Sequence, residues 1–263
     1  MSSTSHCLES MSSQALRDAY KEQFRARTYL DTLFTGKISP SQVEKTHHFF
    51  QSDLIQGKTL LEVGSGPMIL NSLMISNRFK HIVLSDLVED NMLELNKWIK
   101  RDPGAIDWSL SAEQIAAIEG YGDIKKGAME IQERTRAAIR KVVPCDVLEP
   151  GALPEEHRES FDVVLSSGCL EAAAADHESY RRVVCNVATL VKHGGLLIIL
   201  GVGGLKKYSG GTAEFILANV SESVLKEAVT EAGLQIELYK PKKIGCFLDT
   251  SDVFMFNLVA RKA

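Results

Sequence analysis

The sequence has no paired cysteines, no long apolar run and no block of one charge, and each absence removes a class of protein. Its five cysteines, Cys7, Cys145, Cys169, Cys185 and Cys246, are scattered and never fall as C-x-x-C. Neither a disulfide framework nor a structural zinc site is written in that pattern, and no metal is expected. The net charge is −4, and the one basic run, Lys240 to Lys243 around Pro241, is short. A nucleic-acid binder shows a clustered basic surface instead, so no nucleic-acid partner is expected and the run reads as a solvated loop. No stretch approaches the roughly 18 apolar residues of a membrane-spanning helix. The serine-rich start, residues 1–14, has neither the charged head nor the apolar core of a secretory leader. Unpaired thiols without a leader point to a reducing compartment, so a cytoplasmic protein with no membrane partner is expected. Internal repeats, a compositional linker and heptads are also missing, so residues 1–263 are read as one monomeric domain.

What is present is a regular alternation. Hydrophobic residues make up 44% of the chain, enough for one large core. Leu16, Tyr20 and Phe24 fall at helical spacing and Leu30, Leu33 and Phe34 repeat it, which predicts helix over 14–33 with a break near Arg27. A second helix follows Ser39-Pro40. Together these form a helical lid, residues 1–53. The core, 54–263, opens with the short apolar run Thr59-Leu-Leu-Glu-Val63. Strands are predicted at 59–63, 81–85, 142–147, 161–166 and 196–200. Helices are predicted between them at 69–76, 91–100 and 177–191, and after them at 223–232, where Gly233 stops the last. Residues 107–141 break the rhythm as inserted helices. The last two strands, 235–239 and 254–260, have no helix between them. Strands alternating with helices give a doubly wound, mostly parallel α/β sheet, here seven-stranded with a C-terminal antiparallel hairpin.

In such a sheet, ligands bind beyond the carboxyl ends of the strands. Gly64-Ser65-Gly66 follows the first strand and allows a tight turn. The third glycine of a dinucleotide fingerprint is missing, because position 69 is Ile69. That and the closing strand pair disfavour a nicotinamide-dependent oxidoreductase. Asp86 ends the second strand, where a carboxylate can accept both hydroxyl hydrogens of a ribose; otherwise it caps a helix. Asp146 ends the third strand and either takes an adenine amino group, with Val147 donating its backbone N–H, or turns the chain before Pro150. Glu62 lies beneath the glycine turn, to organise it or to reach a ligand through water. Glu171 follows the fourth strand and is read as an amine contact or as a solvated first-turn glutamate. Cys169 beside it is a reactive thiol or a small packed hydrophobe.

Seven ordered segments carry a resemblance: Gly64-Ser-Gly-Pro67, Ser85 to Asn91, Lys97 to Pro103, Asp107-Trp108, Cys145-Asp-Val147, Cys169-Leu-Glu-Ala172 and Val259-Ala-Arg-Lys262. The chain resembles, from about Tyr20 to its end, the nicotinamide, phenylethanolamine and indolethylamine (thioether) N-methyltransferases. The resemblance implies S-adenosylmethionine as methyl donor, a small amine as acceptor and no metal. It implies a cofactor site of Tyr29, Gly64, Ser65, Gly66, Asp86, Leu87, Asn91, Asp146, Val147 and Ser167. Phe34 and Leu70 stand beside the cofactor where the family usually has tyrosines. For the acceptor it implies Glu171 as the catalytic carboxylate, with Tyr20, Phe24, Gly201, Tyr208 and Asp252 around the substrate. The nicotinamide enzymes carry an aspartate at the position of Gly201, and a tyrosine expected in their last loop is Cys246 here. An aryl-alkylamine is therefore the expected acceptor. A nicotinamide or pyridine acceptor, or a methyltransferase-like binding protein without turnover, are the alternatives.

Overall fold

The computed structural model describes residues 12–35, 39–243 and 252–263, apart from the side chains of residues 33–35. Two helices open the described chain, α1 (Ser13–Gln23) and α2 (Ala26–Thr35). Ser12 caps α1, and the break falls at Phe24-Arg25 rather than near Arg27. It falls there because the Ala26 N–H leaves the helix and donates to Asp90 at 2.8 Å. After α3 (Pro40–Phe50), strands and helices alternate as β1 (Thr59–Val63), α4 (Leu70–Ile75), β2 (His81–Asp86) and α5 (Glu89–Lys100). The inserted pair α6 (Ser109–Ile118) and α7 (Ile124–Ala138) leads into β3 (Ile139–Pro144). Then come β4 (Phe161–Ser167), α8 (Leu170–Ala173), α9 (His177–Ala188) and β5 (Val191–Gly203). A small hairpin, β6 (Lys207–Ser209) and β7 (Glu214–Ile216), precedes α10 (Glu222–Glu231), β8 (Leu234–Lys243) and β9 (Phe254–Lys262).

The sheet order is β3-β2-β1-β4-β5-β9-β8. The first five strands are parallel, and β9 inserts antiparallel between β5 and β8. The order reverses between β1 and β4, which is where a doubly wound sheet opens its ligand crevice. Strand periodicity sorts the core. Leu61, Val63 and Val164 pack with α9 and α10 on one face, and Leu60, Val163 and Leu165 pack with α4 to α7 on the other. Each such fully buried aliphatic contributes roughly 1.5–3 kcal/mol. A third, smaller cluster joins the lid to the hairpin: Leu16, Tyr20 and Phe24 against Phe215 and Leu217.

Several sequence-based boundaries move. The helix expected over 177–191 ends at Ala188, and Val191 already belongs to β5, which runs through Gly194 and Gly195. Those glycines are a bend within a strand: Gly194 has φ +74°, and a Cβ on Gly195 would lie 2.9 Å from the Asp162 carbonyl. The third strand ends at Pro144, not at residue 147. The Asp146 carboxylate takes the Leu148 N–H and turns the chain. Lys240 to Lys243 is no loop but the exposed end of β8, paired with β9. Charge and proline on an edge strand discourage pairing with another sheet. The β6–β7 hairpin and the single-turn α8 were not foreseen. Among the described residues no helix is long and apolar enough to cross a membrane.

Candidate active site

The ends of β1, β2 and β4 and the loop after β3, covered by α1 and α2, enclose a cleft of about 860 Å³ measured to its open mouth. Its floor is the glycine turn. Gly64 has φ +68°, and a Cβ there would fall 2.2 Å from Cys169 Sγ, so only glycine fits. Gly66, at φ +60°, faces open space. Its N–H donates to Asp86 Oδ2 at 2.8 Å, while the Val88 N–H and the Asn91 side-chain amide donate to Oδ1. Burial pushes the Asp86 carboxyl up, and the bonds from Val88, Asn91 and Gly66 oppose that rise. Asn91 Oδ1 is buried without a partner. Across the cleft, Asp146 receives the Arg17 guanidinium at 2.9 Å and the Leu148 N–H at 3.1 Å. Leu87, Val147 and Ser167 complete the wall. Burial, and then the charge of Asp86, hold the Cys169 thiol well above its ordinary value, which is the packed reading rather than the reactive one.

Aromatic residues close the cleft from the lid side. Tyr20 stacks on Phe215, centroids 4.1 Å apart, and its hydroxyl bonds to that of Tyr208 at 2.9 Å. Phe24 and Tyr29 stand beside them. Burial raises both bonded hydroxyls, so they stay neutral phenols. Tyr20, Phe24 and Tyr208 were expected around the substrate, yet they line this cleft and not the next one.

A second cleft, about 1640 Å³ to its open mouth, lies on the far side of the glycine turn. Tyr29, Ser65, Met68, Ser167 and Gly168 line both clefts and mark where they meet. Here sits Glu171, 1% exposed. Its Oε1 accepts the Val202 N–H at 2.9 Å, and its Oε2 has no partner. Burial pushes its pKa up to about 7 against the pull of that hydrogen bond. Gly201 lies beside it: a Cβ there would meet Phe256 Cζ at 2.6 Å and Glu171 Oε1 at 3.1 Å. Leu70 lines this second cleft rather than the first. Asp252 is exposed near the start of β9 and lines neither cleft. The Phe34 side chain and Cys246 lie outside the described residues.

A model of the NNMT/PNMT/TEMT family matches residues 12–263. The chain belongs to the NNMT/PNMT/TEMT family. It is an S-adenosylmethionine-dependent N-methyltransferase. Indolethylamine N-methyltransferase of Oryctolagus cuniculus is 33% identical over 260 residues, covering 93% of this chain and 95% of its own. Nicotinamide N-methyltransferase of Homo sapiens is 31% identical over 255 residues, covering 94% and 96%. Phenylethanolamine N-methyltransferase of Homo sapiens is 29% identical over 233 residues, covering 84% and 81%. Among solved structures, the magnesium protoporphyrin IX methyltransferase of Synechocystis PCC 6803 superposes with TM-score 0.56 at 12% identity, covering 95% and 97% of the two chains. The 1,6-didemethyltoxoflavin-N1-methyltransferase of Burkholderia thailandensis gives 0.54 at 16%, covering 94% and 87%. These two likenesses establish the fold.

The first cleft fits the family's methyl donor. One acid ends β2 and another follows β3 in its loop, Asn91 keeps a buried acceptor without a partner, and the side-chain-free Gly66 leaves space. Sequence reasoning missed Arg17, which ties α1 to Asp146 and to Glu149. No local spacing could reveal it, since the partners are 129 and 132 positions away. It also missed Phe256, whose ring crowds position 201, 2.6 Å from where a Cβ would lie.

Proposed function

We propose that this N-methyltransferase methylates the nitrogen of a small alkylamine, with Glu171 beside the acceptor. When bound, S-adenosylmethionine supplies an electrophilic methyl on a sulfonium, and its sulfur keeps the electron pair of the broken bond. Asp86 and Asn91 would hold the ribose hydroxyls, and Asp146 with the Val147 N–H the adenine. Tyr29, on the lid, would reach the cofactor's carboxylate, and Ser65 and Ser167, common to both clefts, would flank the methyl. Glu171 carries the reading. It is a buried carboxylate with one oxygen held by the Val202 N–H and the other unpartnered, in a cleft joined to the cofactor's. Such a group favours a cationic partner. With a pKa of about 7 it either takes the proton of an incoming ammonium, or, where the amine arrives neutral, stays ionised and stabilises the charge that grows on nitrogen. Holding nitrogen in line with the methyl supplies much of the remaining acceleration.

Gly201 argues against nicotinamide as the preferred acceptor. It offers no carboxylate to a carboxamide, and the Phe256 ring, 2.6 Å from where a Cβ would lie, crowds a side chain there. The test is an acceptor panel of phenylethylamines, tryptamines, simple alkylamines and nicotinamide. Alkylamines should be turned over in preference. Nicotinamide as best acceptor would reverse the assignment, and ligand binding without any turnover would make the chain a binding protein.

Asp86→Ala should weaken S-adenosylhomocysteine binding by about 1.5–3 kcal/mol, the range for a charge-assisted hydrogen bond. Unchanged affinity by isothermal titration would remove Asp86 from the site. The lid gives a second expectation. α1 is held over the cleft by Arg17 on Asp146 and by Tyr20 on Tyr208, and it must open to admit a ligand. Amide hydrogen exchange in residues 13–35 should slow markedly on adding S-adenosylhomocysteine. Equal protection with and without it would mean that these helices do not move as a lid.

A further inference from the structure

Arg17 lines the first cleft, and among the described residues there it is the only cation. It stands on α1, one turn before Tyr20. Its Nη1 donates to Asp146 Oδ2 at 2.9 Å and to Glu149 Oε1 at 3.0 Å. The two contacts differ in worth. The Arg17 and Asp146 side chains are 18% and 20% exposed, whereas Glu149 is 62% exposed. A rim pair is screened by water and contributes little, while a mostly buried one keeps its attraction. The Arg17 Nε is buried without a hydrogen bond, with Asp18 at 3.6 Å. The other hydrogen bonds holding α1 down, at Ser13, Tyr20 and Gln23, join neutral groups, and such bonds are worth less than one between charges.

Asp146 is the acid assigned above to the adenine amino group. Its loop is fastened to the core, because the Asn186 side-chain amide on α9 donates to the Val147 carbonyl at 2.9 Å. Asp146 is thus the fixed post and Arg17 the moving part. An ionised carboxylate has about four lone-pair sites. Arg17 takes one on Oδ2 and the Leu148 N–H one on Oδ1, which leaves acceptor capacity for the amino group with Arg17 still in place. We propose that Arg17 is a positioning residue for the methyl donor: paired with Asp146 at the adenine end, it latches α1 over the cleft and sets the rate at which the cofactor enters and leaves. This rests on assigning the first cleft to the methyl donor. No covalent bond changes at Arg17. The pair is made with the cleft empty, so opening breaks it in both directions. A bound base excludes water and strengthens the pair, so release is slowed more than entry.

The test measures association and dissociation rates of S-adenosylhomocysteine by stopped flow for the wild type, Arg17→Met and Arg17→Lys. Arg17→Met should speed dissociation by about 10- to 100-fold, as for a hydrogen bond to a charged group, and speed association by a smaller factor. Arg17→Lys keeps the charge and should restore most of both rates, which a loss of packing alone would not explain. The wild type gives a reading that needs no variant: salt screens the separated charges of the opened lid, so release should quicken as salt rises from about 0.05 to 1 M. Dissociation from Arg17→Met within about threefold of the wild type overturns the proposal, as does wild-type release indifferent to salt. Tighter binding by Arg17→Met also overturns it, because Arg17 would then compete with the adenine for Asp146. A silent Arg17→Met beside a weakened Asp86→Ala would sink the latch alone, whereas silence of both would sink the reading of the first cleft as well.

Discussion

Glu171→Gln should lower kcat/KM for the preferred amine by about 10²–10⁴, the range for acid–base assistance. The substitution keeps the shape and the acceptor oxygen that takes the Val202 N–H, but removes the charge and the basic site. Calorimetry with S-adenosylhomocysteine should show near-native affinity, because Glu171 lines the second cleft and not the first. The pH profile carries the sign. The carboxylate must be ionised to accept a proton, and burial places its pKa near 7. Wild-type kcat/KM should therefore climb as pH rises towards 7 and flatten above it as far as Glu171 governs the profile, and the variant should lose that limb. A variant with native kcat/KM on every amine tested would take Glu171 out of the chemistry.

The same burial has an opposite consequence for stability. Glu62 and Glu171 hold their protons in the folded state up to about pH 7, against about 4.5 for an exposed glutamate. Between those values the unfolded chain has released the proton and the folded one has not, so stability falls as pH rises through that window. It is intact below about 4.5, and the loss is complete above about 7. A tenfold difference in proton affinity between the folded and unfolded chain is worth about 1.36 kcal/mol, so the cost reaches about 3 kcal/mol per glutamate at pH 8. Glu62→Gln and Glu171→Gln should each melt higher than the wild type at pH 8, by several degrees for a chain of this length, and show little gain at pH 5. Equal melting temperatures at pH 8 would show that neither carboxylate is strained by its burial. A stability gain paired with lost activity is the usual mark of a group kept for function.

The fold was largely legible because its signals are local. The run Thr59-Leu-Leu-Glu-Val63 before Gly64-Ser65-Gly66 is bounded by its own residues, and β1 is Thr59–Val63. Where boundaries slipped, a distant group made the decision. Gly194 and Gly195 read as the boundary before a strand, but backbone pairing with β4 on either side of them, Val191 with Phe161 and Leu196 with Val163, carries the strand through them. Lys240 to Lys243 reads as a loop by composition, and only pairing with β9 makes it an edge strand.

The sequence by itself determined the alternation of strands and helices, the glycine turn after β1 and the acids that follow it, because strand period, turn chemistry and strand ends are set within a few residues. Tertiary structure alone decided the division into two clefts. It set Tyr20 and Tyr208, 188 positions apart, across one cleft and placed Glu62 and Glu171 in the other. It also placed Arg17 on Asp146 and the Phe256 ring against Gly201. The physical reason is common to all of them. A side chain's neighbours across a sheet are chosen by strand order and by the packing of the lid, and neither leaves a periodic trace along the chain.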